Sequence, residues 1–437
     1  MGYMRHLAGV GLAVLAVGPW TAWAAPRTNG PVQSWVVRTN ETGHRSLFVN
    51  LATNGIAEVI PYAPDVVRVR FYFLGETNFF EREEVAIAKP LTNWPAFSAT
   101  FTNASPTNFL ITTDQLQVEV VFSNRFQVHF KDAAGRDLLR DRRLEWDSDY
   151  FMAADTNAYA QVAWPEGSES VSNRPSGFKL RAVKEMPAGE AYFGLGDEAG
   201  PLNRRGRVFQ FWAQDTYAFG ESRSPKYTAL PFWYGVQAAT TGRPAFAYGM
   251  FFHNPARPVV DLSGTNGTYS FEAGDDQIDY FFFGGGPSNR MTAIIDRFSE
   301  LTGRPAFFPR WAYGYHQSRH SYYTQQDAQD TIQGLRDREI PCDALYLDIG
   351  VQDQSNGLNH QLTFKPSDYT NVPGLVAFAT NRGMQLVPIV EPCLVTNDPM
   401  YAHAFSNLYF LKRNNLSNHV GTNFLGAISW LDFSITP

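Results

Sequence analysis

Cysteine is nearly absent from this chain: two residues, Cys342 and Cys393, in 437. That excludes a disulfide-stapled scaffold. Both lie in or beside apolar strand-like runs, where a buried free thiol is the commoner fate even in a compartment that would permit a disulfide. Neither has the companions a metal site needs, so no metal or organic cofactor is implied. Charge is scarce as well, at 18% of residues with a formal net charge of −6. Lys and Arg are scattered singly with no basic stripe, which argues against a nucleic-acid partner. No apolar run is long enough to span a bilayer as a helix, so no stable membrane association is expected. Internal repeats and low-complexity tracts are missing too.

What the chain has in quantity is apolar and aromatic material. Hydrophobic residues make up 44%, and there are 10 Trp, 20 Tyr and 34 Phe. That is enough for large cores, and the length calls for two folded units rather than one. Aromatic faces suit sugar stacking, and they suit a core equally well. Residues 1–24 read as a signal peptide. Arg5 and His6 precede the uncharged run Leu7 to Val17, Pro19 breaks it, and Ala22-Trp23-Ala24 supplies small residues for cleavage. A membrane anchor is the competing reading of that segment. An exported protein, periplasmic or extracellular, is expected.

Two rhythms divide the rest. From about residue 33 to 283 the period is two. Val67, Val69 and Phe71 alternate with Arg68, Arg70 and Tyr72. Leu116, Val118, Val120 and Phe122 face a second run, Phe126, Val128 and Phe130, across a turn at Ser123-Asn124. These patterns predict half-buried antiparallel strands and a β-sandwich over 25–286. A connecting helix follows over 287–307. Ser288 is its candidate cap, Met291, Ile294, Ile295, Phe298 and Leu301 share one face, and Gly303 and Pro305 stop it. Beyond it strands and helices alternate. Trp311 to His316 reads as a strand, and Thr324 caps a helix with Ala328, Ile332 and Leu335 on one face, ended by Pro341. Ala344 to Leu347 is a buried strand running into Asp348. A helix carrying Leu375, Phe378 and Ala379 ends at Gly383, and Leu386 to Val390 is a strand running into Glu391. This order implies a parallel sheet with right-handed crossovers. Acidic residues closing successive strands suit the catalytic end of a (β/α)₈ barrel. Only three strands are visible over 308–437, an incomplete barrel whose apolar edges would be exposed.

Seven blocks carry a resemblance. "YFGLGDEAGPLNRRG" (192–206), "FWAQDTYAF" (211–219) and "KYTALPFWYGV" (226–236) occur in order. "RWAYGYHQSRHSY" (310–322) and "REIPCDALYLDIG" (338–350) follow, then "FKPSDYTNVPGL" with "GMQLVPIVEP", and finally "NFLGAISWLDFSITP" (423–437). Together they resemble glycoside hydrolase family 31. The resemblance implies a galactose-mutarotase-like β-sandwich followed by the first part of a (β/α)₈ TIM barrel. It also implies an α-glucosidase- or α-xylosidase-like hydrolase acting on an oligosaccharide or α-glycoside.

Matching positions bring the site residues with them. Asp348 matches a second-strand aspartate that hydrogen-bonds hydroxyls of the bound sugar; from the residues alone it could equally cap the following loop. Ile349 follows it in the family's Asp-Ile-Asp pattern and is carried with it, whereas Gly350 replaces the second acidic residue. Asp215 matches a loop aspartate that the sandwich extends to the substrate; otherwise it is a solvated loop residue. Phe424 stands where the family usually has a sugar-stacking Trp, keeping an aromatic face without the indole N–H; a core Phe is the alternative. His316 and Arg319 close the first strand, either lining the pocket or satisfying backbone carbonyls. Glu391 is one methylene longer than the usual third-strand Asp.

Retaining α-glycosidases need two carboxyl groups, one attacking the anomeric carbon and one protonating the leaving oxygen. In the family both are aspartates, the nucleophile lying in a Trp-x-Asp-Met-Asn-Glu run. No such run occurs here, and Asp432 matches a structural position instead. No catalytic residue is therefore assigned in this chain, which is expected to be inactive alone. A non-catalytic carbohydrate-binding protein that keeps the sandwich is the alternative, and an unrelated sandwich fused to a barrel is a third reading.

Overall fold

In the computed structural model, the residues described are 27–52, 55–72, 86–147, 179–211, 213, 226–242, 244–255, 257–273, 277–286, 290–354, 360–412, 417–423 and 426–433. The expected signal peptide, the Ser288 cap, Asp215 and Phe424 all lie outside them. The chain divides into two compact units, the break falling between Gly303 and Arg304. No helix among the described residues is long and apolar enough to cross a membrane.

The first unit is a sandwich of antiparallel sheets. One sheet runs, in spatial order, β13 (Val208–Gln210), β16 (Val259–Asp261), β17 (Thr268–Ala273), β11 (Lys179–Glu185), β10 (Asp137–Asp147), β9 (Gln127–Asp132), β8 (Leu116–Val121), β7 (Asn108–Thr112) and β6 (Thr100–Ser105), with β1 (Arg27–Thr28) also paired to β10. The other runs β12 (Ala191–Gly194), β14 (Phe232–Gln237), β15 (Phe246–Phe252), β18 (Gln277–Phe283), β5 (Val66–Tyr72), β4 (Ile56–Ala63), β3 (Arg45–Leu51) and β2 (Val32–Thr39). The hairpin read from the sequence is β8 with β9, in which Val118 pairs Phe130 and Val120 pairs Val128. Its alternate residues are buried, as a period of two demands when one face meets a core. Phe130 reaches across to the other sheet and stacks on Phe282 at 4.0 Å between ring centroids.

The expectation of half-buried strands fails in the centre of the second sheet. β5, β15 and β18 are buried along their whole length. Val67, Val69 and Phe71 join the core between the sheets. The opposite face packs a second core containing Tyr62, Phe251, Phe281 and Phe283. Arg68 and Arg70, which alternation alone would send to solvent, are each 4% exposed. Arg68 survives burial through a two-pronged ion pair with Asp279, at 2.9 and 2.6 Å.

Helix α1 (Met291–Thr302) lies in this unit and helps cover that second core. Of the five apolar residues expected on one face, Ile294 and Leu301 are buried and Phe298 stacks on Phe232 at 4.1 Å. Met291 and Ile295 are instead exposed. Positions 294, 298 and 301 follow a spacing of four and three, so they form the stripe, whereas 295 is turned about 100° from 294. Gly303, at φ +90°, ends the helix.

The second unit alternates strand and helix. The expected strand from Trp311 to His316 is corrected: Arg310–Tyr313 forms a 3₁₀ turn, and only His316–Gln317 pairs as β19. The cause is local. Ala312 N–H bonds Pro309 O and Gly314 N–H bonds Trp311 O, so the backbone groups a ladder would need are already used. Helix α2 (Gln325–Asp337) starts at Thr324, whose hydroxyl accepts from Asp327 N–H while the Asp327 carboxylate accepts from Thr324 N–H. Strand β20 (Ala344–Leu347), helix α3 (Val372–Thr380) and strand β21 (Gln385–Pro388) follow. β19, β20 and β21 are parallel neighbours. Next comes an element with no expected counterpart, a small antiparallel sheet of β22 (Cys393–Val395), β24 (Gly426–Trp430) and β23 (Gly421–Asn423), with helix α4 (Tyr401–Ser406) between its strands in the chain. Cys342 and Cys393 are both buried, and neither is in a disulfide.

Candidate functional site

Register decides which side chains of the parallel sheet share a face. His316 lies beside Ala344 and Gln317 beside Leu345. Tyr346 lies beside Val387 and Leu347 beside Pro388. Side chains alternate along a strand, so Leu345 and Leu347 point one way and Ala344 and Tyr346 the other. The first face is closed: Leu345 and Leu347 pack with Ala328 and Ile332 of α2 and Leu375 and Ala379 of α3. The second face, carrying His316, Tyr346 and Val387, has no helix over it among the described residues, and Tyr346 is 38% exposed. The His316 ring lies tilted against both Trp311 and Tyr346, with centroids at 5.8 and 5.7 Å. Its Nε2 is 3.0 Å from Trp311 O.

Asp348 stands one residue past the end of β20 with an extended backbone. Alternation therefore carries its carboxylate to the same open face as Tyr346. Its Oδ1 accepts the N–H of Ile349 at 2.6 Å and caps the 3₁₀ turn Ile349–Val351. Oδ2 has no hydrogen-bond partner among the described residues, and the side chain is half-buried. The capping reading is met by one oxygen, and the other has acceptor capacity that no described residue uses. Ile349 is half-buried beside it, and Gly350 is buried, donating its N–H to Ser321 Oγ at 2.8 Å. Arg319 donates to Ser321 O at 2.8 Å and lies over the Tyr322 ring, so a backbone carbonyl is what it satisfies.

The loops that follow β20 and β21 are tied together by groups that sequence reading did not single out. Gln352 and Gln361, both buried, exchange amide hydrogen bonds at 2.9 and 3.2 Å. Gln361 Oε1 also accepts the backbone N–H of Glu391 at 3.0 Å. Nearby in the chain, His360 Nδ1 and Asp398 Oδ2 pair at 3.0 Å, both buried. Partners 30 and 38 residues apart on separate loops leave no periodic trace. Asp432, for its part, donates its backbone N–H to Tyr409 O at 2.7 Å.

In the first unit, the segment 192–206 is a locked turn. Leu195, at φ +66°, and Gly196, at φ +72°, reverse the chain. Arg204 gathers it by donating to Gly194 O at 3.2 Å, Glu198 O at 2.9 Å and Pro201 O at 3.0 Å. The Glu198 carboxylate is buried in an ion pair with Lys226.

Comparison with known proteins agrees with this geometry. Residues 57–261 match the glycosyl hydrolase 31 N-terminal galactose mutarotase-like domain, and residues 305–437 match the TIM-barrel domain of glycosyl hydrolases family 31. The sandwich and the parallel unit are therefore a mutarotase-like domain and part of a TIM-barrel domain. Among curated proteins, the chain is 28% identical over 385 residues to alpha-glucosidase 2 of Bacillus thermoamyloliquefaciens, covering 87% of this chain and 43% of that one. It is 23% identical over 249 residues to an alpha-xylosidase of Emericella nidulans, covering 56% of this chain and 30% of that one. Among solved structures, a mutant Flavobacterium johnsoniae dextranase complexed with isomaltotriose superposes with a TM-score of 0.71 at 23% identity, over 93% of this chain and 44% of that one. An α-xylosidase from a soil metagenome, complexed with xylose, superposes with a TM-score of 0.64 at 17% identity, over 92% of this chain and 53% of that one. The chain spans less than half the length of those two curated relatives.

Proposed function

Because the chain belongs to glycoside hydrolase family 31, we propose that it supplies the substrate-holding floor of an exported retaining α-glycosidase acting on α-linked glucosides or xylosides. The observation that carries this reading is Asp348: a carboxylate at the C-terminal end of a parallel strand, on the open sheet face, with one oxygen that no described residue engages. That end of a TIM-barrel strand is where active sites of the fold assemble. A carboxylate accepts two charge-assisted bonds from adjacent sugar hydroxyls, fixing the ring against the reacting groups. Tyr346 and His316 offer apolar rings on the same face, and Ile349 borders the carboxylate. Asp215 and Phe424 belong to the same proposal by their place in the matching blocks.

Hydrolysis with retention requires one carboxylate to attack the anomeric carbon and another to protonate the departing oxygen and then activate water. The sequence contains no Trp-x-Asp-Met-Asn-Glu run, so in this proposal both reacting carboxylates come from outside these residues. The charged n-region and uncharged run of residues 1–24 support export.

The test is Asp348→Asn in enzyme carrying the whole catalytic domain. Turnover of an aryl α-glucoside should fall by about tenfold or more, as loss of a charge-assisted bond at the reacting sugar implies. Rates equal to wild type would remove Asp348 from the sugar site.

A further inference from the structure

Gly350 stands two residues beyond Asp348, at the point where the loop following β19 meets the turn following β20. Its backbone is not left-handed, so what sets it apart is space. A Cβ placed there would lie 2.2 Å from Ser321 Oγ, 2.5 Å from Ser321 Cβ and 2.9 Å from the Tyr323 ring. The first two contacts are with a side chain that is 4% exposed, not with the far end of a flexible one. Ser321 cannot easily withdraw. Its hydroxyl accepts the Gly350 N–H at 2.8 Å and its carbonyl accepts from Arg319 at 2.8 Å. The next residue, Tyr322, is buried in the core, and its carbonyl accepts from Tyr369 Oη at 2.5 Å. The loop is therefore seated on the turn only because position 350 carries no side chain.

We propose that Ser321 is a positioning residue for sugar selection: resting on Gly350, it fixes how closely the first loop approaches Asp348 and so sets the width of the pocket beside that carboxylate. This rests on Asp348 holding the sugar. Any side chain at 350 would need the space Ser321 fills, so its absence lets the loop sit closer. A pocket wall displaced by part of a van der Waals radius discriminates between ligands that differ by one small group. Glucose and xylose differ in this way, by a hydroxymethyl group.

The experiment is calorimetric titration of the chain with glucose and with xylose, comparing wild type, Gly350→Ala and the double variant Gly350→Ala/Ser321→Gly. A methyl at 350 pushes the loop away, so the ratio of the two dissociation constants should change by about threefold or more. Removing the Ser321 side chain relieves the clash and should return the ratio to the wild-type value within about 1.5-fold. A general loss of stability would weaken both sugars together and leave the ratio alone. If Gly350→Ala does not fold, Ser321→Val stresses the same contact from the other side and must shift the ratio. An unchanged ratio in variants that bind overturns the assignment of Ser321 while leaving Asp348 in place. Wild-type chain that binds neither sugar overturns the sugar-site reading, and this inference with it.

Discussion

The two units place their charged side chains differently. In the sandwich, three pairs of opposite charge lie in the interior. Arg68 meets Asp279, Lys226 meets Glu198, and Lys184, fully buried, meets Asp141 and donates to Tyr280 Oη at 2.8 Å. In the parallel unit, half-buried Asp348 spends one oxygen on its own turn, and no described residue engages the other. The sheets differ likewise: β5 is buried on both faces, whereas β20 has one closed face and one on which Tyr346 is 38% exposed. Burial with full pairing fixes a structure but leaves nothing for chemistry. An under-occupied carboxylate on an uncovered face is available to bind.

Removing one member of a buried pair breaks the comparison hardest. Lys184→Met should leave the Asp141 carboxylate uncompensated and cost about 3–5 kcal/mol in urea unfolding of the sandwich. Burial pushes the Lys184 amine downward while Asp141 opposes it, so the ion pair is held by its partner and not by solvent. A loss below about 1 kcal/mol would mean that Asp141 is well solvated without its lysine.

A smaller, pH-dependent effect is expected at Glu190. This residue is 1% exposed and accepts from Tyr248 Oη at 2.6 Å and Gln237 Nε2 at 3.0 Å, both neutral. Tyr192 and Tyr269 stand near the same carboxylate, and Arg205 donates to its backbone carbonyl. Burial raises its carboxyl above the ordinary range. A raised folded-state value gives stability that is complete below the unfolded value and is lost as pH rises through the folded one. Glu190→Gln should therefore flatten that decline, raising the urea midpoint at pH 8 relative to wild type while leaving the difference small at pH 4. An equal pH slope in both proteins would place the Glu190 proton elsewhere.

The smallest effect should come from the open face. Tyr346→Ala removes a ring that is already partly in water, and its cost should stay at about 1 kcal/mol or less in thermal unfolding. A core-sized loss of about 3–5 kcal/mol would show that something covers this face and would erase the contrast between the units.

The parts of the fold legible in the sequence were those that neighbours along the chain control. The β8–β9 hairpin follows from alternation, and α2 from the Thr324 cap and the apolar face of Ala328, Ile332 and Leu335. The illegible parts depend on distant partners. Arg68 and Arg70 read as solvent-facing because the Asp279 beside them is 211 residues from Arg68. Trp311 to His316 alternates like a strand, but a turn had already taken its hydrogen bonds. At the candidate site, Asp348 was legible because a buried apolar run leads straight into it. Gln361 carries no such mark, although its amide holds Glu391 to the loop after β20.

The placement of the two thiols gives the molecule an internal clock. Cys342 and Cys393 are both in the unit that begins at Arg304, at 3% and 0% exposure, and the sandwich contains none. A thiol reagent therefore modifies the protein only when that half transiently unfolds, and the modification rate reads its opening equilibrium without a contribution from the sandwich.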